Sequence, residues 1–329
     1  MKAMVLHSTG NIDSRPLKYE DIPIPEISDG EVLIKVHACG VCRSQLHTIE
    51  GEWGAPMRLP LVVGHEIAGE VVKTGRRVSN LKIGDRVGLQ PTYNTCNSCE
   101  YCLTGRENLC DRIERTGGHV DGGYAEYVKG VEQHTYLIPG NLSYQKAAPL
   151  FCPGATAYRA VCMAEPAPYK TMAVFGVGGV GHMAVQFARL HGARTVAVDR
   201  SKKKLELAER FGAVPVEYGD TKKLARLGID DSIVFAPSDE VIAMARNATK
   251  KGGRIVIGVE GNVVDFDFRK EQRILGCLVG TRNDVNNVLK LASEGRIGAE
   301  VAEYRLEEAN EVLAKMKKGE LVGRAVLVP

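Results

Sequence analysis

The run Ala173-Val174-Phe175-Gly176-Val177-Gly178-Gly179-Val180-Gly181 decides the fold of the second half of the chain. Three apolar residues read as a strand. A G-x-G-x-x-G sequence then opens a segment with apolar residues at Val180, Met183, Ala184, Phe187 and Ala188, which is helical spacing. Gly176 serves the tight turn, Gly178 lets the backbone approach a pyrophosphate, and Gly181 allows helix and strand to pack closely. The helix N-terminus offers unpaired N–H groups to phosphate oxygens. Asp199 ends the next apolar run, Thr195-Val196-Ala197-Val198, 18 residues past Gly181. A carboxylate there accepts hydrogen bonds from the adenosine ribose hydroxyls, which favours NAD over NADP. The neighbouring Arg200 is able to attract a 2′-phosphate, so the preference is relative rather than absolute.

Outward from this motif, the spacing predicts helices at 180–191 and 202–211 and strands at 232–235 and 254–257. Strands alternating with helices make a doubly wound parallel sheet, an α/β fold of Rossmann type. Residues 1 to about 150 have a different rhythm. Short apolar or alternating runs such as Val32–Val36 and Ala68–Val72 are broken by Gly, Pro and Asn, as in an all-β domain. The strand pattern stops near Arg282. The tail is expected to hold helices at 284–293 and 307–318 and a final strand at 325–328, and to rejoin the first domain. The expected division is therefore 1–152 with 283–329 as one domain and 153–282 as the dinucleotide-binding domain. Lys315, Lys317 and Lys318 read as a solvated face of the last helix.

Cys96, Cys99, Cys102 and Cys110 give C-x2-C-x2-C-x7-C in a segment, about 91–113, too polar to build its own core. Four thiolates at this spacing suit tetrahedral zinc and leave no open coordination position, which makes the site structural. An iron–sulfur cluster uses similar short spacings but usually lacks the seven-residue gap. Disulfides are disfavoured by the reducing compartment that the remaining features imply.

The 43 Lys and Arg nearly balance the 40 Asp and Glu of the 329-residue chain, so no electrostatic footprint for nucleic acid or anionic membrane exists. The N-terminal Met1–Leu6 lacks a long apolar core, and no apolar run approaches a membrane span. A cytoplasmic protein acting on small molecules is the expectation.

Three dispersed residues complete the pattern: Cys42 in Gly40-Val41-Cys42-Arg43-Ser44, His65 in Gly64-His65-Glu66, and Cys152 in Phe151-Cys152-Pro153. Together with the glycine motif and the cysteine lobe, and in this order, they resemble the medium-chain zinc-containing alcohol dehydrogenase family over essentially the whole chain. The resemblance implies that the first domain is GroES-like. It also implies that Cys42, His65 and Cys152 hold a catalytic zinc, with Glu66 behind it as a transient ligand, giving two zincs per chain. Two thiolates and an imidazole leave the fourth position open for substrate. Ser44 and His47 match the family's proton relay, Arg43 and Arg324 match positions at the cofactor pyrophosphate, and Trp53 matches an aromatic wall of the substrate pocket. The implied reaction is reversible hydride transfer between an alcohol and NAD(P)+, giving an aldehyde or ketone, by a homodimer or homotetramer.

Two departures stand out. The family usually has an aspartate at Gln45, where it braces the ligand histidine and an arginine like Arg324; the neutral amide predicts a weaker His65 or a greater use of Glu66. The second aromatic wall falls on Pro91 or Thr92, with Tyr93 available only through a loop shift. Cys39, Cys162 and Cys277 read as core residues. A zinc-independent reductase of activated C=C bonds and a non-catalytic dinucleotide-binding protein are the competing readings. The ligand trio argues against the first, and the Ser44 and His47 pair against the second.

Overall fold

The computed structural model describes residues 1–54 and 58–329. The chain divides into two compact units: Met1–Cys152 with Thr281–Gly295 and Ala299–Pro329, and Pro153–Gly280 with Arg296–Gly298.

The first unit is built on a sheet that, among the described residues, runs Thr135–Leu137, Arg86–Leu89, Glu66–Thr74, Glu31–Gly40, Arg324–Val328 and Val301–Arg305, with Tyr127–Val131 also pairing Glu31–Gly40. Its long central strand, Glu31-Val-Leu-Ile-Lys-Val-His-Ala-Cys-Gly40, is buried along most of its length because strands flank it on both sides. Ile34, Val36, Ile67, Val71, Val87 and Leu89 form the core with Leu313 and Leu327 from the tail. The tail strand is antiparallel to the central one, with Val326 opposite Gly40 and Leu327 opposite Cys39. The helices of the tail are Arg282–Ser293 and Ala309–Lys317. No helix among the described residues is long and apolar enough to cross a membrane.

The second unit holds a six-stranded, wholly parallel sheet. Across the sheet its strands run Val214–Glu217, Arg194–Asp199, Thr171–Phe175, Asp231–Val234, Arg254–Ile257 and Arg273–Gly276. Numbered by chain order within the unit, this is 3-2-1-4-5-6, the doubly wound order. The order reverses beside Thr171–Phe175, and the glycine loop leaves the sheet at that point, where open α/β sheets bind ligands.

In the second unit and the tail, three strands escape the sequence reading, all at sheet edges: Val214–Glu217 carries Pro215, Arg273–Gly276 ends on a glycine, and Val301–Arg305 is largely exposed. Edge strands lack the apolar run that burial on both faces imposes. Three other expectations need correction. Lys317 is not simply solvated, since its Nζ lies 2.7 Å from Glu50 Oε1, a carboxylate only 9% exposed. Its ammonium holds the Glu50 carboxyl below its usual range against the opposing effect of burial. Cys39 is fully buried, whereas Cys162 and Cys277 are only partly so.

Candidate active site

The central strand stops at Gly40, and two residues later Cys42 becomes the N-cap of the helix Arg43–Glu50. Antiparallel pairing sets Gly40 opposite Glu66, so His65, at the entry to its strand, comes beside Cys42. Cys152 arrives at the end of the 3-10 turn Ala148–Phe151. Donor atoms of Cys42, His65, Glu66 and Cys152 all lie within 4.8 Å of one another. The two sulfurs are 4.0 Å apart. Tetrahedral zinc bonded to two thiolates at about 2.3 Å separates them by about 3.8 Å, so the donor set fits that ion. The Cys42 thiol is held well below its usual range by a hydrogen bond from Cys152, whose own thiol moves up correspondingly. A thiolate beside a thiol is the protonated counterpart of a metal pair.

Glu66 reaches this place only because residue 40 is glycine: a Cβ there would sit 2.0 Å from Glu66 Oε2. Arg324, from the tail strand, meets Glu66 through Nη2, at 2.5 Å from Oε1 and 2.7 Å from Oε2, and also donates to Val41 O at 2.7 Å. The pair is almost completely enclosed, with side chains 5% and 0% exposed. Burial pushes the Glu66 carboxyl up to about 8 despite the pull of the Arg324 guanidinium. The sequence reading expected Arg324 at a cofactor phosphate; the structure instead commits its Nη2 to a buried carboxylate. Arg43 remains exposed.

Ser44 Oγ donates to Cys42 Sγ at 3.2 Å and lies 3.5 Å from His65 Nε2. His47 is engaged by Glu52 at Nδ1 and stacks on Trp53, with ring centroids 4.7 Å apart. Trp53 is otherwise half exposed. The sequence allowed Tyr93 to move toward the substrate pocket. In the structure it is 4% exposed and its hydroxyl donates to Glu31, which Lys129 also approaches at 3.2 Å, so it serves the interior of the first unit.

The four lobe cysteines cluster likewise, with Cys96 and Cys102 sulfurs 3.8 Å apart and Cys99 and Cys102 sulfurs 3.5 Å apart. These separations are far from a disulfide bond and close to the edge of a zinc–thiolate tetrahedron. Backbone N–H groups, chiefly that of Ser98, pull the Cys96 thiol down to about 5.

In the second unit Gly176 has φ +88°, a conformation that side chains disfavour, and a Cβ on Gly181 would meet Gly176 O at 2.0 Å. Space around Gly178 is open. Asp199 Oδ2 accepts from Val177 N of the loop and Oδ1 accepts from Ser201 N, each at 2.9 Å, and each oxygen keeps a further lone pair. Arg200 covers the Tyr218 ring at 4.3 Å and lies 3.6 Å from Glu240, so its charge already has local partners.

Residues 28–140 match the model of the alcohol dehydrogenase GroES-like domain, and residues 179–294 match that of the zinc-binding dehydrogenases. An alcohol dehydrogenase of Geobacillus stearothermophilus is 38% identical over 99% of both chains. The chain belongs to the medium-chain, zinc-containing alcohol dehydrogenase family. An NAD-dependent alcohol dehydrogenase of Sulfolobus acidocaldarius is 37% identical over 99% of both chains. The solved alcohol dehydrogenase of Aeropyrum pernix superposes with a TM-score of 0.93 at 32% identity and full coverage of both. As a member of this family the protein is an oxidoreductase, an alcohol dehydrogenase with zinc and a nicotinamide nucleotide as its cofactors. These findings weigh against a non-catalytic role and a zinc-independent reductase.

Proposed function

We propose that the chain oxidises an alcohol to an aldehyde or ketone, reversibly, at a zinc held by Cys42, His65 and Cys152, with NAD as the preferred hydride acceptor and a second zinc in the Cys96, Cys99, Cys102 and Cys110 lobe. The observation that carries this reading is the convergence of two sulfurs and an imidazole from three distant segments on one point, with Ser44 Oγ in contact with two of them. When bound, the zinc supplies Lewis acidity to the substrate hydroxyl. The Ser44 hydroxyl is placed to take up the proton, and its link to Cys42 fixes its orientation. His47 passes the proton on to solvent, and Glu52 at Nδ1 fixes its ring so that Nε2 is the exchanging atom. Arg324 holds Glu66 in place through both carboxylate oxygens. The glycine loop and the N-terminus of the helix Gly181–Leu190 take the pyrophosphate, and Asp199 takes the ribose through its spare lone pairs.

The test is zinc quantification beside a spectrophotometric panel of alcohols, aldehydes and ketones with each nicotinamide nucleotide. Two zincs per chain with faster NADH turnover is the expected result, and full turnover with lobe zinc alone rules out the site reading. Asp199→Gly should lower the NAD-to-NADP ratio of kcat/KM by roughly 10-fold to 100-fold, as for loss of charged hydrogen bonds worth about 1.5–3 kcal/mol. An unmoved ratio shows that Asp199 does not bind the ribose. Cys99→Ser should lower Tm by roughly 4–8 °C, the counterpart of about 2 kcal/mol, without moving the pH profile of turnover. A shifted pH profile at unchanged Tm would mean that the lobe takes part in the chemistry.

A further inference from the structure

Gln45 is 2% exposed and occupies the third position of the helix Arg43–Glu50. Its Oε1 accepts from the backbone N–H of Cys42 at 3.0 Å, closing a capping box, while its Nε2 lies 2.5 Å from His65 Nδ1. This arrangement is complete for one tautomer of His65. Gln45 donates to Nδ1, the ring proton sits on Nε2 and points to Ser44 Oγ at 3.5 Å, and Ser44 donates onward to Cys42 Sγ at 3.2 Å. It is wrong for the other tautomer. An imidazole that gives its Nε2 lone pair to a metal carries its proton on Nδ1. The amide then faces two groups that only donate, Nδ1–H and Cys42 N–H, across positions of which only one is an acceptor. Turning the amide over moves the mismatch from His65 to Cys42 and does not remove it, so the conflict is independent of how oxygen and nitrogen are assigned. A carboxylate in the same place accepts from both.

We propose that Gln45 is a positioning residue that sets His65 against ligation through Nε2, making the Cys42–His65–Cys152 centre a weaker and more readily exchanged zinc site than the four-cysteine lobe. The proposal rests on the reading of those three residues as zinc ligands. Glu66 does not compensate, because its carboxylate is tied to Arg324. The weakness lies in the donor and acceptor pattern, since the donor atoms themselves stand at zinc-binding separations.

Gln45→Glu keeps the length and shape of the side chain and replaces the misplaced donor by an acceptor. The experiment loads the full-length protein with zinc and withdraws it with a chromophoric chelator, for the wild type, for Gln45→Glu, and for both in a Cys42→Ala background. One tight and one weaker class of zinc are expected in the wild type. Gln45→Glu should tighten the weaker class by about 10-fold to 100-fold, leave the tight class where it was, and lose its effect when Cys42 is absent. In the zinc-loaded, 15N-histidine-labelled proteins, the Nδ1 proton of His65 should be protected from solvent exchange in Gln45→Glu and unprotected in the wild type. If Gln45→Glu does not fold, Gln45→Asp provides the same carboxylate on a shorter stem. Equal affinity for the Cys42-dependent zinc in wild type and variant overturns the proposal while leaving the ligand assignment standing. Tighter binding without Nδ1 protection also overturns it, because added charge alone then explains the gain. If neither protein holds a Cys42-dependent zinc, the ligand assignment fails and the proposal fails with it.

Discussion

Cys42→Ala is expected to lower kcat/KM for alcohol oxidation on the order of 1000-fold while leaving the dissociation constant for NADH nearly unchanged. The magnitude follows from losing a Lewis acid that supplies several kcal/mol of charge stabilisation, at about 1.4 kcal/mol per decade of rate. The selectivity follows from the division of the chain. Cys42 belongs to the first unit, whereas the glycine loop and Asp199 belong wholly to the second, whose sheet and core are built from its own residues. Alanine is smaller than cysteine and keeps the backbone N–H that Gln45 accepts, so the helix Arg43–Glu50 retains its capping bond. Stopped-flow fluorescence for NADH and steady-state rates for alcohol separate the two quantities. Turnover within tenfold of the wild type would remove Cys42 from the chemistry.

Arg324→Leu should cost about 3–5 kcal/mol of stability, because it leaves the Glu66 carboxylate fully enclosed without a cation. Few contacts in the molecule combine such complete burial with opposite charge, and the guanidinium makes both bonds to the carboxylate through the same nitrogen. The urea midpoint of Arg324→Leu measures the loss. A double variant, Arg324→Leu with Glu66→Leu, should recover most of it, since removing both charges abolishes the desolvation cost as well as the attraction. A single variant within about 1 kcal/mol of the wild type shows that water or another group reaches Glu66 when the arginine is gone.

The sequence was most legible where chemistry is local. The glycine loop and the cysteine lobe each lie within a short segment whose spacing is set by backbone geometry, and their reading required no tertiary knowledge. The convergence of Cys42, His65 and Cys152 was implied only by the resemblance, since it depends on strand pairing that spacing alone does not encode. What stayed hidden was mostly polar partnership. Nothing near Gly40 indicates that its missing side chain admits Glu66, and nothing near Tyr93 indicates that its hydroxyl turns to Glu31. The same holds for Lys317 and Glu50, 267 positions apart. A buried polar group takes whichever partner the fold brings within reach, and that choice is made by segments far away in the chain. The edge strands were missed for a different reason, because a strand covered on one side carries only half of the hydrophobic signature.

The bond between Glu66 and Arg324 spans 258 residues. At a synthesis rate of about 5–20 residues per second, the carboxylate emerges on the order of 10–50 s before the guanidinium that neutralises it. During that interval the central strand also lacks its tail partner, so the unit that begins first cannot close first. The second unit is almost wholly contiguous, from Pro153 to Gly280, and needs nothing beyond Gly298. On the ribosome the order of maturation is therefore inverted. The second unit can assemble while the tail is still being made, and the first closes only once the tail strand and Arg324 have emerged.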